Sequence, residues 1–146
     1  MTLHILGIGS PSGDDQAGWL VVDALRARGV EAGGRIALAK LDRPGASLLA
    51  RLEGADHVIL VDALQSDGTP GEIHRWIDVD WSLAGADLSS HGFGVLAALA
   101  LAQALGSLPQ RVEVVGIEIA SAEPGAPVSP SVRQAVAQLA ERLANA

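Results

Sequence analysis

The chain has 146 residues, close to the commonest size of a single domain, so we expect one domain over residues 1–146. Hydrophobic residues make up 49% and charged residues 18%, a balance that argues against intrinsic disorder. The net charge of -7 and the 3% of aromatic residues disfavour nucleic acid and anionic membranes as partners. Because no cysteine is present, disulfides, zinc-thiolate sites and a cysteine nucleophile are excluded.

The N-terminus and the longest apolar stretch favour a soluble protein. Residues 1–7 contain no lysine or arginine, and the chain then turns glycine-rich, so this segment does not resemble a signal peptide. The apolar stretch over residues 92–102 is shorter than the roughly 20 residues that a membrane-spanning helix needs. We therefore expect a cytoplasmic protein, with a monomer as the default.

The first half of the chain alternates strands with helices. An aliphatic run ended by glycine predicts a strand over residues 3–9, and helical spacing from Asp14 predicts a helix that ends before Gly29. A second strand is predicted over residues 35–41 and a short helix over residues 46–52. The β-branched run over residues 57–61 predicts a third, fully buried strand that ends at Asp62.

The second half continues this alternation. We predict a loop over residues 65–71 and an edge strand over residues 72–78. A helix over residues 91–105, a strand over residues 111–119 and a helix over residues 130–144 follow. The pattern indicates an α/β fold, a three-layer sandwich whose twisted, mostly parallel sheet has about five strands with helices on both faces.

Polar side chains follow three of the predicted strands. Asp14 and Asp15 come after the first strand, Asp62 ends the third, and His91 begins the helix before the last strand. Ligands of such sheets bind outside the carboxyl ends of the strands, where this fold brings these residues together. Two carboxylates and one imidazole suit a divalent ion such as zinc, nickel, manganese or iron.

Each of these residues also has a purely structural interpretation. Asp14 and Asp15 suit the positive end of a helix dipole, and His91 suits an exposed position near a helix start. Asp62 is harder to explain structurally, because a carboxylate that follows five aliphatic residues is costly unless it is hydrogen-bonded or binds something. Which carboxylate of the Asp14-Asp15 pair faces the site stays open at this point.

An ordered set of motifs resembles the [NiFe]-hydrogenase maturation protease family over essentially the whole chain. The glycine-rich opening, followed by Gly13-Asp14-Asp15 and Gly18, is similar to the start of these proteins. The later landmarks of the resemblance are Val58-Ile59-Leu60-Val61-Asp62-Ala63, Pro70-Gly71, Ser89-Ser90-His91, Val114-Val115-Gly116-Ile117-Glu118 and Val128-Ser129-Pro130. Together these motifs are far more specific than any one of them.

The resemblance implies an endopeptidase that removes a C-terminal extension from the hydrogenase large-subunit precursor after nickel insertion. Matched one at a time to the family's metal-binding residues, the site residues are Asp15, Asp62 and His91. The resemblance further implies that nickel is carried by the precursor as a recognition element, and other divalent metals are chemically possible at such a site. Attack by water is consistent with the absence of cysteine and of an evident serine nucleophile.

Three alternatives use the same residues. A receiver-like domain binds magnesium and accepts a phosphoryl group on an aspartate, but its scheme needs a lysine after the last strand, and this chain has none beyond Lys40. A nickel-delivery or chaperone module would use the triad without catalysis. A small metallohydrolase with another substrate is the third alternative.

Overall fold

The computed structural model of the protein describes residues 2–42, 44, 47–66, 68–83 and 95–145. The strands are β1 (Leu3–Gly9), β2 (Ile36–Asp42), β3 (His57–Leu64), β4 (Ile73–Ile77) and β5 (Arg111–Glu118). The α-helices are α1 (Ala17–Ala27), α2 (Leu48–Leu52), α3 (Val95–Leu105) and α4 (Pro130–Ala144). Short 3-10 turns cover Gly13–Gln16 and Val30–Gly33.

The strands form one mixed sheet in the order β2-β1-β3-β5-β4. All neighbours pair in parallel except β4, which is an antiparallel edge strand on β5. The predicted α/β fold, with a mostly parallel sheet of five strands and an edge strand near residues 72–78, is therefore confirmed.

Helices cover both faces of the sheet and bury a separate core on each. Alternating side chains of β1, β3 and β5 point to opposite faces, as the pleat of a strand requires. On one face, Ile5, Val61 and Ile117 pack with residues of α1 and α4. On the other face, Leu60 and Val114 pack with residues of α2 and α3. These two cores hold the carboxyl ends of β1 and β3 in fixed positions.

Two predicted boundaries differ from the structure at the carboxyl edge of the sheet. The prediction that β3 ends at Asp62 is wrong, because the strand continues to Leu64. Its pairing with β1 stops at Val61, but its pairing with β5 continues through Leu64 opposite Glu118. The helix predicted from Asp14 begins as a 3-10 turn, and regular α-helix starts only at Ala17.

The remaining predicted elements lie within a few residues of their observed positions. The last helix covers the predicted residues 130–144. The start of the helix predicted over residues 91–105 lies outside the described residues, and the described part begins at Val95. Within the described part of the chain, no helix is long and apolar enough to cross a membrane.

Candidate active site

The 3-10 turn that follows β1 presents Asp15 at the carboxyl edge of the sheet. The Ser10 hydroxyl, at the end of β1, donates a hydrogen bond to Asp15 Oδ2. The backbone reinforces this turn, since the Ser10 amide donates to the Asp15 carbonyl at 3.2 Å and the Asp15 amide donates to the Ser12 carbonyl at 2.9 Å. Asp15 is half-buried, and its Oδ1 has no partner among the described residues.

Asp14 is fully buried, and its carboxylate contacts the connection between β5 and α4. The Ser129 amide donates to its Oδ1 at 2.6 Å. Its Oδ2 accepts from the Ser129 hydroxyl at 2.7 Å and from the amides of Ala120 and Ser121 at 2.9 and 3.2 Å. Burial on its own raises the pKa of Asp14, but these hydrogen bonds outweigh it and bring the pKa below the usual value. Asp14 therefore ties the turn to the β5–α4 connection, and both of its oxygens are occupied.

Asp62 lies in β3 just past the last residue pair with β1, and only 8% of it is exposed. Its Oδ1 accepts a hydrogen bond from the Ala63 amide at 2.7 Å. Burial raises the pKa of the Asp62 carboxyl well above its usual value, the bond from Ala63 opposes this shift, and the negative charge of Asp15 adds to it. The structure thus brings Asp15 and Asp62 close enough to repel each other.

No cation balances these two carboxylates within the part of the chain that the structure describes. The ion pairs of Lys and Arg side chains there involve other acids, such as Lys40 with Asp23 and Arg75 with Glu113. The described residues also contain no cluster of three or more side chains suited to hold a metal ion. A buried carboxylate beside a second carboxylate, with no cation nearby, is a site that favours an incoming positive charge.

His91, the third predicted site residue, lies outside the described residues, as do Ser89 and Ser90. The described chain resumes at Val95, which packs in the core on the α2 and α3 face. Asp62 alternates with Val61, whose side chain lies in the opposite core, so Asp62 points to that same α2 and α3 face. Of the three predicted residues, the structure brings Asp15 and Asp62 together and describes no position for His91.

Two features of this edge escaped the sequence interpretation. The first is Ser10, which is 2% exposed and orients Asp15. The second is Glu118, which is 1% exposed and ends β5 with hydrogen bonds from Ser66. The acidic residue that follows the apolar run over residues 114–117 was the available signal for Glu118, whereas nothing local marks Ser10.

Comparison with known proteins identifies the family. A model of the hydrogenase maturation protease family matches residues 20–146. The chain belongs to this family and is therefore a peptidase of hydrogenase maturation. No curated protein sequence gives a significant match.

Solved structures of similar proteins have the same fold. The hydrogenase maturating endopeptidase HybD from E. coli superimposes with a TM-score of 0.80 at 23% identity, over 98% of this chain and 90% of that one. The [NiFe] hydrogenase maturation protease HybD from Thermococcus kodakarensis gives a TM-score of 0.75 at 23% identity, over 99% of both chains. A hydrogenase 2 maturation peptidase from a Thaumarchaeota archaeon gives 0.73 at 24% identity, over 99% of this chain and 97% of that one. These likenesses agree with the three-layer α/β architecture.

Proposed function

We propose that this peptidase removes a C-terminal extension from the large-subunit precursor of a [NiFe] hydrogenase, and that it does so after nickel has been inserted. The observation that carries the nickel dependence is the pair of carboxylates at the carboxyl edge of the sheet. Asp62 is buried next to Asp15, and no described cation accompanies them. A precursor that carries a divalent ion supplies the charge that this pair lacks.

In this proposal nickel is part of the substrate, and the protein reads its presence. Asp15 and Asp62 contact the ion through carboxylate oxygens, which suit first-row divalent metals, and His91 contributes an imidazole nitrogen. Ser10 holds Asp15 through one oxygen and leaves the other for the ion. A precursor without nickel meets two negative charges and gains no binding free energy at this site. The ion therefore reports that the metal centre is finished.

The scissile peptide bond lies near these carboxylates when the nickel is bound. Cleavage then needs a water molecule and a group that accepts its proton. Burial and the charge of Asp15 raise the pKa of Asp62, which favours its protonated form over the carboxylate. A substrate-borne cation beside it lowers that pKa and favours the carboxylate, the form that accepts a proton, so proton transfer depends on the loading of the precursor.

The test uses the precursor itself. Nickel-loaded and nickel-free large-subunit precursors are incubated with substoichiometric amounts of this protein and followed by intact-mass analysis. We expect loss of one discrete C-terminal peptide from the nickel-loaded form alone. Equal cleavage of both forms would contradict the nickel dependence. A stable complex with an uncleaved precursor would indicate a chaperone instead of a protease.

Variants of the proposed site sharpen this test. Asp15→Asn, Asp62→Asn and His91→Ala are each expected to reduce cleavage by at least about 100-fold, because each removes a contact to the ion. Asp23→Asn is the matched control, since Asp23 is an exposed acid of α1 that pairs with Lys40 of β2. Normal cleavage by Asp62→Asn would remove that residue from the site.

A further inference from the structure

Glu118 is a buried carboxylate that the proposed reaction does not use. It ends β5, and 1% of it is exposed. The Ser66 amide donates to Glu118 Oε2 at 3.3 Å, and the Ser66 hydroxyl donates to Oε1. The nearest described ionisable partner, His74 Nε2, lies 3.9 Å from Oε1, which is beyond hydrogen-bond distance. The described hydrogen bonds of the Glu118 side chain are thus all made with Ser66, in the segment that follows β3.

In that segment, Ser66, Gly68 and Gly71 all contact the end of β5. Gly68 passes so close to Glu118 that a Cβ at this position would lie 2.7 Å from Glu118 Oε1. The Gly71 amide donates to the Glu118 carbonyl at 2.8 Å, and the Glu118 amide donates to the Glu72 carbonyl at the same distance. The described residues between β3 and β4 therefore contact the carboxyl end of β5 at three points, Ser66, Gly68 and Gly71.

Glu118 and Asp62 share one face of the sheet. Glu118 alternates with Ile117, and Asp62 alternates with Val61, and both of these aliphatic residues lie in the core under α1 and α4. Asp62 pairs with Gly116 and Leu64 pairs with Glu118, so the Cα atoms of Asp62 and Glu118 are about 8 Å apart by strand geometry. The segment that Glu118 contacts thus begins three residues after Asp62, and the residue that contacts it lies on the same face of the sheet as Asp62.

We propose that Glu118 is a positioning residue: through Ser66 it holds the described residues 65, 66 and 68–71 as a wall of the substrate cleft next to Asp62. This inference rests on the proposed function, because the wall is proposed to contact the precursor's polypeptide near the scissile bond. The hydrogen bonds to Ser66 require an acceptor at Glu118, but they do not require a charge. Glutamine at this position keeps an acceptor for the Ser66 amide and donates to the Ser66 hydroxyl, whereas methionine keeps the length and loses both contacts.

The variants Glu118→Met and Glu118→Gln therefore separate positioning from a requirement for charge. We expect Glu118→Met to raise KM for the nickel-loaded precursor about tenfold with kcat within about twofold, and Glu118→Gln to recover most of the loss. Ser66→Ala removes one contact outside the core, so it tests the same link with a smaller rise in KM. If both residues act through this contact, the double variant Glu118→Met with Ser66→Ala is no worse than Glu118→Met alone.

The matched control is Glu113→Met, the same substitution at a second buried carboxylate of β5. Glu113 is 6% exposed and pairs with Arg75, five residues away from Glu118 in the strand. We expect this variant to lose stability and leave KM unchanged. Hydrogen exchange provides a readout that needs no substrate: the amides of residues 65, 66, 68, 69 and 71 exchange faster in Glu118→Met and not in Glu113→Met.

Different outcomes contradict the two proposals. A wild-type protein that cleaves no precursor would contradict the proposed function, and the exchange experiment would still show whether Glu118 holds the segment. With an active wild type, an unchanged KM or unchanged exchange in Glu118→Met would overturn the positioning role. So would a Glu118→Gln variant as impaired as Glu118→Met, because charge would then be what matters.

Discussion

Asp14 is the residue that connects the turn bearing Asp15 to the distant end of the chain. Replacing it with asparagine places an amide group against backbone N–H donors, at least one of which then loses its acceptor. We expect Asp14→Asn to lower the free energy of unfolding by about 3 kcal/mol, as measured by urea denaturation. Cleavage should fall as well, because the turn no longer holds Asp15 in place.

The pH dependence of this contribution follows from the lowered pKa of Asp14. An acid whose pKa is lower in the folded state stabilises the fold above its unfolded value of 3.8, and this stability is lost as the pH falls through the folded pKa. The difference between wild type and Asp14→Asn should therefore be largest near neutral pH and shrink in acid. Asp23→Asn is the control, since its exposed pair with Lys40 is worth at most about 1 kcal/mol. Equal losses in both variants would contradict the structural role of Asp14.

At the scale of elements, the close contact of α1 with the sheet depends on Gly18. A Cβ at Gly18 would overlap the backbone of Ile8 and Val61 and lie 2.8 Å from the Ile8 amide nitrogen. Alanine there forces the start of α1 away from β1 and β3, and the turn with Asp15 moves with it. We expect Gly18→Ala to destabilise the protein by about 3 kcal/mol or more and to reduce cleavage.

Gly33 provides the matched control for this prediction. A Cβ at Gly33 meets nothing within 4 Å, and its backbone does not require glycine. Gly33→Ala should leave stability unchanged or raise it slightly, since alanine restricts the unfolded chain. Thermal unfolding of both variants measures the contrast. A Gly18→Ala variant that melts with the wild type would show that the helix adapts without cost.

The elements also show what the sequence can and cannot reveal. Hydrophobic periodicity was enough for the sheet and helices, because it records which face of each element is buried. Periodicity predicted that β3 ends at Asp62, because it cannot show that β3 pairs with β5 for three residues beyond its last pair with β1. The role of Asp14 depends on Ser129, 115 positions away, and only the folded chain reveals such a partner. Motif order, in contrast, was sufficient to predict the family.

At the scale of the whole molecule, the proposed site lowers the stability of the fold. The folded-state pKa of Asp62 is raised, mainly by burial, so the folded protein binds this proton more tightly than the unfolded chain. The sign follows directly: the free energy of unfolding falls as the pH rises from 3.8 through the folded pKa, because the carboxylate must ionise while buried. Asparagine has no such charge and still accepts the hydrogen bond from Ala63.

We therefore expect Asp62→Asn to be more stable than the wild type at neutral pH, by a few degrees in Tm, while cleavage is lost. The gain should vanish below about pH 3, where the wild-type carboxyl is protonated in both states. Thermal unfolding curves recorded between these pH values measure the difference in Tm between the variant and the wild type. A chelator in the buffer excludes stray cations. A wild type at least as stable as the variant at neutral pH would show that something in the free protein already compensates the buried charge. A gain that disappears when divalent ions are added would show that the carboxylate pair binds the charge it lacks.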